Sequence, residues 1–333
     1  MYLLLPHIML FMTTLLMSTL AVVSSSTFLT MWAALELNLM SIIPLMLTSN
    51  NKLESEAAVK YFLAQALGSS MFLISYLALS QGLFLITNQN TPYMIMSIAL
   101  MIKVGAAPTH FWFPSVMSSS SWLICILLAT WQKIAPLTMI TIMFPPSNKF
   151  IFLAAASSSL IGGILGLNQT QLTSLLAYSS IGHLGWILAI IYNSKYMGIL
   201  YFSIYAITTS SLMILFYLIN TYSIKQTASN SILSSDKYFI PMLLLLSLGG
   251  LPPLLGFAPK LMTLTLLSEQ SQLSLSLALI IGSTLNLSYY LALAFNLYIS
   301  STNPMSSKPT YQFNLLMPVI IVSFPLIMAP LMA

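Results

Sequence analysis

From one end of this chain to the other, blocks of apolar residues follow one another with only short polar punctuation between them. Each block has about the 20 residues that a helix needs to cross the hydrocarbon core of a bilayer. No stretch is left in which a soluble catalytic domain fits. Of 333 residues, 58% are hydrophobic and 5% charged, against about 25% charged in a soluble domain, whose wet surface requires them. Within lipid the backbone must satisfy its own hydrogen bonds, so helix is the default for every block. The chain reads as an all-α polytopic membrane protein.

The polar punctuation predicts about eleven spans, near 2–23, 27–48, 57–80, 92–118, 121–143, 150–167, 171–192, 196–220, 239–269, 273–299 and 313–332. Connections such as "SNNKLES", "PPSNK" and "STNPMSSKPTYQF" carry the turn formers and most of the remaining charge. The opening stretch lacks the basic region of a secretory signal and the Arg- and Ser-rich character of a presequence, so it is expected to stay as the first span. On this map Lys52, Lys225, Lys237 and Lys308 share the side of the N-terminus, while Lys149 and Lys195 lie opposite. The lysine excess places the N-terminus on the cytoplasmic or matrix side.

The formal charge of +5 comes from ten lysines, without arginine, against five acids. These lysines are scattered singly, without the basic clusters that nucleic acid requires. Cys125 stands alone in an apolar run and is expected to pack as a small hydrophobe. No His/Cys/carboxylate set has metal-ligand spacing, no Gly-rich loop opens a nucleotide site, and no Ser–His–acid set is evident. The chain is predicted to hold neither a metal nor a redox cofactor.

Two spans are too long and too interrupted to be ordinary. One contains "LMIKVGAAPTHFWFP", with Gly105 and Pro108 expected to open the helix and Pro114 to stop it. The other contains "SLGGLPPLLGFAPK", with Gly249, Gly250, Pro252, Pro253, Gly256 and Pro259 within a few turns. Proline removes a backbone donor and clashes with the preceding turn, so both helices should break in mid-membrane. Irregular backbone survives there only inside protein or beside a wet cavity. Paired broken helices in two halves are how inverted-repeat transporters build an ion site. The predicted architecture is thus an inverted-repeat, antiporter-like bundle forming one membrane domain over 1–333. Its first half-repeat covers about 1–143, its second about 150–299, and a last helix about 313–332.

Four ionisable side chains fall well inside predicted spans: Glu36, Lys103, Lys133 and Lys260. At about 2.5–3.5 kcal/mol each for a central position, the set costs roughly 10–14 kcal/mol. Lysines near helix ends can instead snorkel to the interface, an escape that is harder for the short Glu36 near mid-span. Proton handling uses such groups, because burial and a movable carboxylate partner shift a lysine between its two protonation states. Glu36 is accordingly expected to be the movable partner of Lys103, with Lys133 and Lys260 relaying protons along a polar midline. His183, beside Tyr178, Ser179 and Ser180, suits a water chain or equally a hydrogen-bonded interhelical position. His110 lies just past the first break and reads equally as an interface residue. Glu56 precedes Lys60 by four residues, in the order that favours a structural ion pair.

The segments "ALELNL", "EAAVKYFLAQA", "KVGAAPTHFWFP", "TWQKIAP", "GLNQTQL", "LAYSSIGHLGW" and "SLGGLPPLLGFAPK" occur in this order over roughly residues 20–265. They resemble the NADH dehydrogenase subunit 2 family of animal mitochondrial complex I. The resemblance implies a multi-pass subunit of the mitochondrial inner membrane, N-terminus toward the matrix, with other membrane-arm subunits and lipids such as cardiolipin as partners. It also implies proton translocation driven by electron transfer elsewhere in the complex, where FMN, iron–sulfur clusters and ubiquinone belong. By motif, Glu36 and Lys103 match the family's glutamate–lysine pair, Lys133 its central lysine, His183 the later histidine, and Lys260 the lysine of the second broken helix. One departure is evident: Thr173 and Ser174 stand where the family usually has two basic residues. A free-standing cation/proton antiporter of the same ancestry and a structural subunit that moves no protons remain alternatives.

Overall fold

The computed structural model describes residues 6–48, 51–80, 90–144, 149–224, 226 and 235–302. The expected last span near 313–332, and the loop lysines Lys225 and Lys308, lie outside the described residues. By internal contacts the chain divides into two compact units, Met1–Ile151 and Phe152–Ala333. Among the described residues, seven helices are long and apolar enough to cross a membrane, and Thr91–Val104, Phe150–Gly166 and Phe239–Gly249 are shorter apolar helices.

The first unit is built from α1 (Pro6–Ser24), α2 (Phe28–Met46), α3 (Lys52–Ser80), α4 (Asn90–Val104), α5 (Trp112–Ser119) and α6 (Trp122–Met143). Helix α2 packs between α1 and α3, and α3 lies against both α4 and α5, the two pieces of the broken span. Helix α6 contacts α1 and α4. It is not regular throughout, because Leu127–Trp131 form a π-helical turn. Five residues beyond that turn's end is Pro136, whose missing N–H frees one more carbonyl close by. Thr130 Oγ1 donates to the Ile126 carbonyl at 2.6 Å, occupying an oxygen at the start of the π turn.

The second unit comprises α7 (Lys149–Gly166), α8 (Leu172–Asn193), α9 (Lys195–Ile219), α10 (Ser235–Gly249), α11 (Phe257–Glu269) and α12 (Leu273–Thr302). Helix α8 contacts α9, α11 and α12, and is buried along almost its whole length. Small residues let α7 approach two neighbours at backbone distance. A Cβ added at Gly162 would lie 2.6 Å from the Gly182 nitrogen on α8, and one at Gly282 on α12 would collide with the Ser159 carbonyl. Ser159 Oγ reaches the Ala278 carbonyl of α12 at 3.3 Å. Close backbones and interhelical hydroxyl bonds replace the hydrophobic drive that lipid cannot supply.

The surface is apolar and the interior partly polar, the reverse of a soluble protein. Met17 is 67% exposed and Leu37 62%, whereas Asn38, Ser75, Thr208 and Asn286 are buried. Such a surface is stable against hydrocarbon rather than water. Cys125 is buried and its thiol faces the Met117 and Ser120 carbonyls at 3.4 and 3.6 Å. It packs as a small hydrophobe, as its sequence context predicts.

Candidate functional site

Among the described residues, α4 in the first unit and α10 in the second close on a glycine, and both close in the same way. At the end of α4, Gly105 N–H bonds the Ile102 carbonyl at 3.2 Å and Ala106 N–H the Met101 carbonyl at 3.1 Å. At the end of α10, Gly250 N–H bonds the Ser247 carbonyl at 3.0 Å and Leu251 N–H the Leu246 carbonyl at 3.3 Å. This pair of bonds is the Schellman closure, which requires a left-handed residue. Gly105 and Gly250 supply it, with φ of 76° and 82°.

The prolines share the work unevenly. Pro108, preceded by a cis peptide bond, and Pro252 with Pro253 lie in the linkers between half-helices. Gly249 is the last residue of α10, and Pro259 belongs to the first turn of α11. Pro114, expected to stop the first broken helix, instead sits in the first turn of α5. Near a helix start the missing N–H costs nothing and the fixed φ is already helical, so Pro114 helps to restart the chain.

A helix end leaves carbonyls short of helical partners, and here side chains reach several of them. In the first unit Trp112 Nε1 donates to the Ile102 carbonyl at 2.9 Å and Gln65 Nε2 to the Lys103 carbonyl at 3.3 Å. In the second, Lys260 Nζ donates to the Gly249 carbonyl at 2.8 Å and the Leu248 carbonyl at 3.4 Å. Gly250 is also what lets the lysine approach, since a Cβ there would stand 2.7 Å from Nζ. The linker doubles back so tightly that a Cβ at Gly256 would collide with the Ser247 carbonyl.

The ionisable residues singled out in the sequence fall at or near these irregularities. Lys103 is 5% exposed and occupies the last turn of α4, where the negative end of the helix dipole favours a cation. Glu36, half-buried at the middle of α2, acts electrostatically on it. Lys133 is 1% exposed and follows the π turn by two residues. Its Nζ lies 4.8 Å from the centroid of the Phe113 ring, a cation–π geometry. Lys260, 6% exposed, also lies 5.9 Å from the Trp186 ring.

His183 is buried on α8 with Nδ1 at 3.2 Å from Tyr201 Oη, and its ring centroid is 5.2 Å from that of Tyr205. Ser179 and Ser180 turn their hydroxyls onto the Leu176 and Ala177 carbonyls of the same helix. Tyr201 and Tyr205 both come from α9 and were not evident from the sequence neighbours of His183. His110 is buried, with Nδ1 at 3.3 Å from the Pro108 carbonyl. Glu56 and Lys60 are both exposed on α3. Thr173 and Ser174 are buried in the first turn of α8, where the positive end of the helix dipole disfavours cations.

The residues that sequence reasoning passed over are neutral: Asn38, Tyr61, Gln65, Trp112 and Gln132. Tyr61 and Gln65 lie four apart on α3, and hence on one face. Tyr61 Oη donates to Gln132 Oε1 at 3.3 Å, and Gln132 Nε2 to Asn38 Oδ1 at 2.9 Å. Polar side chains at helical spacing in an apolar span were the available signal. Among the described residues no three His, Cys, Asp or Glu side chains come together as a metal site.

Comparison with known proteins agrees with this geometry. A family model described as "NADH:quinone oxidoreductase/Mrp antiporter, TM" matches residues 25–286. NADH-ubiquinone oxidoreductase chain 2 of Lumbricus terrestris is 46% identical over 299 residues, which cover 89% of this chain and 87% of the relative. A chain of respiratory complex I from Thermus thermophilus superposes with a TM-score of 0.76 at 23% identity, over 97% of this chain and 77% of that one. A chain of an archaeal membrane-bound sulfane sulfur reductase superposes at 0.80 and 17% identity, over 96% and 73%. At such identities the superpositions establish the fold, an antiporter-like helical bundle. The sequence relationships go further: the chain belongs to the NADH:quinone oxidoreductase/Mrp antiporter membrane family and, within it, to the NADH-ubiquinone oxidoreductase chain 2 group.

Proposed function

We propose that this chain is a proton-translocating membrane-arm subunit of NADH:ubiquinone oxidoreductase in the mitochondrial inner membrane. One observation carries the translocation reading. Among the described residues, three buried lysines each sit at a discontinuity in a helix: Lys103 before the first break, Lys133 after the π turn, and Lys260 after the second break. Buried cations in lipid are costly and need polar company, and a discontinuity is where backbone dipoles become available to provide it.

In this reading Glu36 and Lys103 form the pair whose separation or approach gates proton uptake, Lys133 receives the proton, and His183 and Lys260 continue the path. The electron carriers FMN, iron–sulfur clusters and ubiquinone belong to other parts of the complex, and this chain performs no redox chemistry. Its partners are the neighbouring membrane-arm subunits and membrane lipids, cardiolipin among them. The N-terminus faces the matrix, on the side of Lys52 and Lys237.

The test is proton pumping by the assembled complex in sealed vesicles, driven by NADH oxidation with quinone as acceptor. Lys133→Ala and Lys103→Ala are expected to reduce protons moved per NADH. Full pumping by both variants in an intact complex would leave only a structural role.

A further inference from the structure

The first unit contains a hydrogen-bonded set that the translocation path does not use. It runs from Tyr61 on α3 through Gln132 on α6 to Asn38 on α2, at 3.3 and 2.9 Å. As placed, the phenol donates to Gln132 Oε1 and Gln132 Nε2 donates to Asn38 Oδ1. Asn38 and Tyr61 are 3% and 2% exposed. Gln132 is half-buried between them, and the two buried polar groups on either side are satisfied through it, as burial of such groups requires.

Their positions in the chain are informative. Asn38 follows Glu36 by two residues, and Gln132 immediately precedes Lys133. The backbone N–H of Gln132 also reaches the carbonyl of Leu127, five residues back, and so closes the π turn. A displacement of α2 at Glu36 is therefore transmitted through Asn38 to the residue that holds both the π turn and the base of Lys133. Beside the set is a cavity of about 10 Å³, lined by Asn38, Tyr61, Gln65, Lys103 and Gln132. It has room for one water and polar partners to hold it. An amide passes on no proton without tautomerising, so these groups orient their neighbours and carry no proton themselves.

We propose that Asn38 and Gln132 form an amide latch that keeps the Glu36-bearing helix in register with the Lys133-bearing helix and walls the Lys103 cavity. Both are positioning residues. The proposal rests on the translocation reading above and adds the part that ties its two ionisable stations together.

The pair lends itself to a swap. Asn38→Gln lengthens one arm by a methylene, Gln132→Asn shortens the other, and the double variant restores the summed length with both amides present. In the assembled complex, each single variant is expected to lower the protons moved per NADH oxidised, and the double variant to recover the parental ratio. Single variants that pump at the parental ratio, or a double variant no better than the worse single one, would overturn the latch. Should the single variants fail to assemble, a high-resolution map of the unmodified complex decides. Side-chain amides in contact support the latch, and amides further apart than one bridging water overturn it. The underlying reading is judged separately by Lys133→Ala and Lys103→Ala: full pumping by both removes translocation itself, whatever the swap shows.

Discussion

Lys260 donates from Nζ to the carbonyl oxygen of Gly249 at 2.8 Å, so a cation at the start of one half-helix caps the open end of the other. The side chain thereby has two duties, one in charge and one in backbone satisfaction, and substitutions can separate them.

Lys260→Met keeps the bulk of the side chain and removes its donors. The Gly249 and Leu248 carbonyls lose that partner, at a cost of about 1–3 kcal/mol for a buried unsatisfied group. The thermal midpoint of the assembled complex should fall, and proton pumping with it. Lys260→Arg, which retains donors and charge, should keep more of the midpoint than Met does.

Gly250→Ala forces a side chain into a left-handed residue, which costs roughly 1–2 kcal/mol, and sets a Cβ against Lys260 Nζ. The expected outcome is a less stable complex with weakened pumping. Thermal inactivation and proton-to-electron ratio measured on one preparation would check both.

Trp112→Phe deletes the indole donor to the Ile102 carbonyl while leaving an aromatic ring against Tyr61, whose centroid lies 5.6 Å away. Loss of one such bond is worth about 1 kcal/mol. A modest drop in thermal midpoint is expected, and a midpoint equal to that of the parent would show that the bond contributes nothing.

Tyr201→Phe removes the phenol that faces His183 Nδ1 at 3.2 Å. With the ring retained, packing on α8 should persist and stability should fall by no more than about 1.5 kcal/mol. If His183 stands on the proton path, pumping should fall by more than assembly does. Equal losses in the two measurements would mark the bond as structural.

Much of this molecule was legible before any coordinates. Lys103, Lys133 and Lys260 stood out because charge in an apolar span is expensive, and the two breaks because prolines inside a helix remove donors and clash with the preceding turn. The capping groups were not legible. Gln65 and Trp112 reveal their purpose only when α3 and α5 are brought against the end of α4, and nothing in the local sequence specifies that approach. Pro114 was misread for the related reason that a proline stops one helix and starts the next with the same ring. The π turn at Leu127–Trp131 has no proline or glycine of its own, so hydropathy passes straight over it. Neutral amides such as Asn38 and Gln132 are cheaper to bury than charges, and they signal more faintly for that reason.

The close approach of α7 to α8 and α12 has a mechanical consequence. Where backbones meet at Gly162 and Gly282, a helix is keyed like a splined shaft: spinning it about its axis would drive Cβ atoms into neighbouring main chain. Helix α7 can then follow its neighbours or slide along them, and it cannot rotate between them. In the second unit α7, α8 and α12 are held together at these close approaches, whereas the half-helices around Gly250 meet through the Lys260 side chain and their own backbone turns.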